Sequence, residues 1–339
     1  MSLYCGIDLH SNNHVITIID ENDNRLFERR MPNKLETTLN CLSEYQDDVA
    51  GIAVESTYNW YWLVDGLMDA GYSLHLVNTS AVKQYEGMKF TNDEHDAFHL
   101  AHLMRLGILP TGYIYPKEQR AIRDLLRKRG FLVRHRTAHT LSAQSLHSRL
   151  TGRQANCNVI QGDHAESIYL PGLDDANRRL EMKANLRMIQ ALHHQIVEIE
   201  KTVLNQMKLS PEYIGLKQVP GIGNILALTI ALETGDISRF PKAGNYASYC
   251  RAVKSCRESN RKKKGEGNRK NGNKYLGWAY VEAVNHMVRF SNDGNRFFQR
   301  KLAQKNRAVA VKATANKLAK ACFYIMRDKI AYDAKLLFR

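Results

Sequence analysis

At 339 residues the chain has room for two or three domains, because single cores stop growing at about 250–300 residues, and 44% apolar with 24% charged residues excludes a disordered polypeptide. The formal net charge of +15, from 49 Lys+Arg against 34 Asp+Glu, favours a polyanionic partner, nucleic acid first. The excess is lopsided: residues 1–110 hold 16 acidic and 7 basic residues, leaving 42 basic against 18 acidic in the rest.

The opening Met1-Ser2-Leu3-Tyr4-Cys5-Gly6-Ile7-Asp8 lacks the features of a signal peptide, and no segment approaches about 20 apolar residues. A cytosolic protein with no membrane partner is expected. Six scattered cysteines without a C-x-x-C pair read as reduced thiols rather than as a zinc site.

In chain order, Leu3 to Ile7 and His14 to Ile19 predict two strands. Glu21-Asn22-Asp23-Asn24 predicts a turn into a third strand over Arg25 to Arg30. Pro32 to Tyr45 has helical character, Val49 to Val54 reads as a buried strand, Trp60 to Ala70 as a helix stopped by Gly71, and Tyr72 to Val77 as a further strand. Strands followed by alternating helix and strand predict an α/β layer fold over residues 1–112.

After Pro116 the pattern turns to long helices, giving α/β plus α overall. Arg120, Arg123, Arg127 and Arg134 share one helical face, a candidate nucleic-acid contact, and Leu186, Ile189, Leu192, Ile196, Ile199 and Val203 form a heptad-like seam. Residues 113–210 read as a helical hairpin or coiled-coil arm, or as two amphipathic helices packed within one subunit. Residues 211–339 read as all-helical. There Pro220-Gly221-Ile222-Gly223 before an apolar helix is similar to a helix-hairpin-helix turn, in which Gly221 and Gly223 would free backbone N–H groups for phosphate. A plain loop between packed helices is the competing reading. Arg251 to Lys274 carries ten Lys+Arg against two acidic residues, including Arg261, Lys262, Lys263, Lys264, Lys270 and Lys274, interrupted by glycines. It suits phosphate contact as a flexible cationic loop.

The candidate chemistry is acidic. Asp8 closes the first strand, Glu55 closes a later buried strand, and Asp93 and Asp96 lie one helical turn apart, so the four carboxylates can converge. Such a donor set suits two Mg²⁺ ions acting on a phosphodiester. Individually, Asp93 and Asp96 would also suit a helix N-terminus, and Asp8 a turn. His95, His99 and His102 follow Asp96, but magnesium prefers oxygen, so they read as helix surface or core. Trp60 and Trp62, with Tyr58, read as packing residues.

Gly6-Ile7-Asp8, Val54-Glu55-Ser56-Thr57 and Asp93-x-x-Asp96-Ala97 resemble the tetrad of the DEDD transposases, insertion-sequence recombinases related to the Piv invertase. The resemblance implies a RuvC-like (ribonuclease H-like) N-terminal domain, and it extends over the whole chain. Glu258-Ser259-Asn260-Arg261-Lys262-Lys263-Lys264-Gly265 and Lys270-Asn271-Gly272-Asn273-Lys274-Tyr275-Leu276 match that family's C-terminal motif, in which a serine becomes joined to DNA. Carried over, Ser259 is the nucleophile, with Ser255 the fallback; many relatives carry Gly where this chain has Asn260-Arg261. The family further implies donor and target DNA, a structured guide (bridge) RNA, a dimer or tetramer, a site composed of distant segments, and a bacterial nucleoid setting. The alternatives are a metal-dependent junction nuclease that uses water and a nucleic-acid-binding protein without catalysis.

Overall fold

The computed structural model describes residues 2–82, 92–266 and 271–338, and it divides into two units, Met1–Lys117 and Glu118–Arg339.

In the first unit, β1 (Leu3–Leu9) and β2 (Asn13–Ile19) are apolar along nearly their whole length because both faces of their sheet are covered. β3 (Arg25–Pro32) is a charged, mostly exposed edge strand, a composition that resists edge-to-edge pairing. α1 (Leu35–Leu42), β4 (Val49–Glu55), α2 (Tyr61–Asp69), β5 (Leu74–Val77), α3 (Thr79–Val82) and α4 (Asp93–Arg105) complete the unit. The sheet order is β3-β2-β1-β4-β5, antiparallel among β1, β2 and β3 and parallel from β1 through β4 to β5. Leu42, Leu63, Val64 and Leu67 from α1 and α2 pack against Cys5, Ile7, Ile16 and Ile18, whereas Leu100 and Leu103 from α4 meet Ala53 and Val77. The expected α/β layering is therefore present.

One glycine sets the height of α4 above the sheet. A Cβ at Gly6 would stand 2.0 Å from the Ala97 carbonyl oxygen and 2.8 Å from the Ala101 nitrogen, so only glycine lets the helix backbone approach this strand.

The second unit begins with α5 (Lys117–Thr151), two short helices, α6 (Cys157–Ile160) and α7 (Ala165–Tyr169), and α8 (Ala176–Met207). Ala143 and Leu146 of α5 share a core with Met182, Leu186 and Ile189 of α8, while Ile199 and Val203 enter a second core with Leu126. Most of the apolar seam is thus buried within the chain, with Leu192 half-buried. α9 (Pro211–Lys217), α10 (Asn224–Thr234), α11 (Ala243–Tyr249), α12 (Lys274–Phe290), α13 (Asn292–Gln304), α14 (Arg307–Asp328) and α15 (Ala334–Phe338) follow. α10 is buried without a break from Leu226 to Thr234, as its all-round apolar sequence requires. At its end the Thr234, Tyr246 and Tyr280 hydroxyls form a buried chain at 2.8 and 2.9 Å.

The all-helical expectation for this part needs a correction. Arg257–Ser259 (β6) and Lys262–Gly265 (β7) form an antiparallel ribbon inside the basic segment. Asn260 at φ 50° and Arg261 at φ 57° make a two-residue left-handed turn, the geometry whose twist joins adjacent strands.

Candidate functional site

The carboxylates gather because parallel strands end side by side. Ile7 pairs with Val54, so the next residues, Asp8 and Glu55, stand side by side at the C-terminal ends of the adjacent central strands β1 and β4. Asn92 caps α4 by accepting from the His95 N–H, which starts the helix at Asp93 and puts Asp93, Glu94 and Asp96 in its first turn. The close approach at Gly6 and Ala97 then holds that turn against the end of β1.

Asp8 is buried, Glu55 and Asp93 are half-buried and Asp96 is exposed. Burial, a hydrogen bond shared with Asp8, and the charges of Asp8 and Asp96 push the Glu55 carboxyl up to about 8. The Arg30 guanidinium has the opposite effect on Asp93. At 2.6 Å from its Oδ2 it holds that carboxyl below the usual range, and it also reaches Glu94 Oε1 at 3.3 Å.

A residue outside the expected tetrad stands among them. His10 Nε2 lies 3.1 Å from Asp8 Oδ2 and 3.3 Å from Asp93 Oδ2, and ligand atoms of Asp8, His10 and Asp93 all fall within 4.8 Å of one another. Sequence reading passes over it, although Asp8-Leu9-His10 carried a signal: positions two apart on an extended chain face the same way. The histidines that drew attention lie on α4. His102 Nδ1 meets Asp23 Oδ1 at 2.9 Å, and the rings of His95 and His99 stack at 6.0 Å. Trp60 and Trp62 pack against the sheet core as expected, but Tyr58 is 83% exposed and does not.

The donor set fits a divalent cation on two observations. The Glu55 carboxyl is raised by burial and by the Asp8 and Asp96 carboxylates beside it, and His10 Nε2, shut off from solvent, lies against carboxylate oxygens of Asp8 and Asp93 at 3.1 and 3.3 Å. Both are relieved by a positive ion among these side chains.

The second unit presents Ser259 exposed at the end of β6, paired in register with Lys262, while Glu258 pairs with Lys263. Arg261, Lys262 and Lys264 are exposed, Ser255 is half-buried, and Lys270 lies outside the described residues. The neck of the basic segment is stitched: Arg251 Nε donates to the Gly272 carbonyl at 3.0 Å and Asn273 N–H to the Tyr249 carbonyl at 2.7 Å.

The arginine stripe on α5 is not the open cationic face that its periodicity suggests. Arg120 and Arg123 are buried, and Arg127 grips the buried carboxylate of Glu233 through two hydrogen bonds of 2.6 and 2.7 Å. Burial alone would weaken the Arg127 charge, but Glu233 more than offsets it and raises the guanidinium above its ordinary range. Helical spacing shows which residues share a face, not whether that face meets water. Lys274 opens α12 beside the Tyr275 ring, with its ammonium 5.2 Å from the ring centre, in a cavity of about 390 Å³ that Arg127, Arg134 and Trp278 also line. Gly221, at φ 89°, has a packing role, since a Cβ there would meet the Ala283 carbonyl at 2.4 Å; Gly223 caps α10 with open space around it.

A family model described as a transposase, DEDD_Tnp_IS110, matches residues 5–151, and a second, described as the transposase IS116/IS110/IS902 family, matches residues 215–299. A Pseudomonas aeruginosa protein named "Probable family 20 transposase" is 24% identical over 295 residues, covering 83% of this chain and 85% of its own length. A Sinorhizobium fredii protein named as transposase y4qE is 27% identical over 238 residues, covering 67% of this chain and 55% of its own length.

Proposed function

Because the chain belongs to the IS116/IS110/IS902 family of transposases, we propose that Asp8, Glu55, Asp93 and Asp96 hold divalent cations, Mg²⁺ in the simplest case, for a DNA strand exchange in which Ser259 is the nucleophile. The observation that carries the metal part is the Glu55 carboxyl, pushed to about 8 by burial and by Asp8 and Asp96. Beside it the ligand atoms of Asp8, His10 and Asp93 lie within 4.8 Å of one another, and carboxylates buried and crowded in this way are expected where a cation completes the site. When bound, the metal would supply Lewis-acid stabilisation of the oxygens entering and leaving phosphorus.

The residues divide the remaining work. Asp8 and Glu55, fixed by paired strands, and Asp93 and Asp96, fixed by the capped α4, provide a preformed oxygen face. Ser259 offers an exposed hydroxyl at a ribbon tip rich in Arg and Lys, suited to meet a phosphodiester. In the exchange, the Oγ–phosphorus bond would form as the phosphorus–deoxyribose oxygen bond breaks, the seryl proton passing by way of solvent to the departing oxygen, which leaves as a hydroxyl and conserves a phosphodiester for rejoining. The Lys and Arg of the ribbon contact phosphates and carry no sequence information. Selection of donor and target by a structured guide RNA rests on the family resemblance and on the basic excess; base pairing would then read sequence while the protein reads backbone and shape. Assembly as a dimer or tetramer belongs to the same proposal.

Incubation with family-type DNA ends and Mg²⁺ tests this reading. A protein–DNA adduct that resists denaturant is expected, lost in Ser259→Ala and reduced at least about 10³-fold in Asp8→Asn. Free ends without linked protein would instead support a water-using nuclease, and unchanged exchange by Asp8→Asn would remove the tetrad from the chemistry. Sequencing of RNA retained on the purified protein tests the guide.

A further inference from the structure

We infer that His10 is a nitrogen ligand of the cation held by Asp8 and Asp93, and that this centre consequently takes Mn²⁺ in preference to Mg²⁺. The inference rests on the metal-dependent reading above and goes beyond it, because the tetrad supplies oxygen alone. His10 Nε2, closed to solvent, sits 3.1 Å from one Asp8 oxygen and 3.3 Å from one Asp93 oxygen, and ligand atoms of the three residues all lie within 4.8 Å of one another, the spacing of donors that share one ion. With its proton on Nδ1, the imidazole would turn the Nε2 lone pair toward a positive ion shared with both carboxylates.

The backbone holds the ring there. The His10 N–H donates to the Asn13 carbonyl at 2.9 Å, and the His10 carbonyl accepts from Asn33 Nδ2 at 3.0 Å and Asn59 Nδ2 at 2.9 Å. Both lone pairs of that carbonyl are used, so the end of β1 is tied to the start of α1 and to the loop after Glu55. The backbone that carries the imidazole is thus tied to three other segments of the same unit.

Ligand chemistry gives the selectivity. Mg²⁺ gives up water reluctantly and favours an all-oxygen shell, so an imidazole adds little to its binding. First-row transition ions accept imidazole nitrogen, and Mn²⁺ combines that with a liking for carboxylates.

Mn²⁺ titrated into the full-length protein gives a readout independent of DNA exchange. The electron spin-echo spectrum of bound Mn²⁺ is expected to carry imidazole ¹⁴N modulation that changes to a ¹⁵N pattern in histidine-labelled wild type. That labelling needs no substitution and so is immune to misfolding. His10→Ala and His10→Gln should lose the modulation and weaken Mn²⁺ about tenfold or more by calorimetry, with Mg²⁺ altered less than about twofold. Mn²⁺ bound without nitrogen modulation, or equal weakening of both ions, overturns the role of His10 while leaving the carboxylate reading intact if Asp8→Asn still abolishes binding. A wild type that binds neither ion overturns both.

Discussion

His14 is a buried residue whose titration bears on stability. It is buried on β2 with Asn33 Oδ1 at 3.0 Å from Nδ1 and Thr38 Oγ1 at 3.1 Å from Nε2, and burial lowers its pKa despite the Asn33 hydrogen bond. The unfolded imidazole protonates near 6.5, whereas the folded one resists, so the unfolded state gains protons first as the medium acidifies. The contribution of His14 is fully present above about pH 6.5 and is lost as pH falls towards and through the folded value. Urea unfolding between pH 7.5 and 5.5 should show this fall in wild type and a shallower one in His14→Gln; equal slopes would mean the ring is already solvated. His10, two residues beyond the first motif aspartate, was equally legible by spacing, but its importance depends on Asp93, distant in sequence and brought close only by packing.

At the scale of elements, two contacts decide where the candidate groups stand. Gly6→Ala drives a methyl into the Ala97 carbonyl, so α4 must lift. A loss of about 3 kcal/mol, the upper end of overpacking costs, is expected from the urea midpoint. Ala97→Gly should not rescue it, because the obstruction is backbone. In the second unit Glu233 joins Arg127 of α5 to Asn273, which caps α12 by accepting from the Tyr275 and Leu276 N–H groups. Glu233→Ala strands the Arg127 charge and should cost about 3–5 kcal/mol, while the Arg127→Met/Glu233→Met pair should lose much less than the summed single effects. Additive losses would show that the two side chains do not depend on each other. Most element positions were readable from periodicity, since strand and helix alternations are local. The β6–β7 ribbon was not, because its cationic, glycine-interrupted sequence has no apolar alternation and its turn uses left-handed Asn260 and Arg261 in place of glycine.

For the whole molecule, the charge asymmetry predicts that the basic excess beyond residue 110 meets DNA phosphates. If six to ten phosphates are neutralised, affinity should fall about 10³–10⁵-fold between 50 and 200 mM salt; a change below about tenfold would assign those cations to internal pairing. The buried Arg120 and Arg123 and the paired Arg127 already show that counting charges overstates the free ones. Among the described residues, no helix is long and apolar enough to cross a membrane. Alone, the order of residues determined the α/β start, the helical continuation and the family, and it named four spaced carboxylates as candidates, because those follow from local periodicity and from short motifs. Only tertiary structure decided that His10 joins Asp8 and Asp93, that Arg120 and Arg123 of the arginine stripe turn inward while Arg127 pairs with Glu233, and that Ser259 rides a ribbon. Each of these depends on which surfaces are shut from water and which distant atoms meet, and neither is encoded in the spacing of neighbours along a chain.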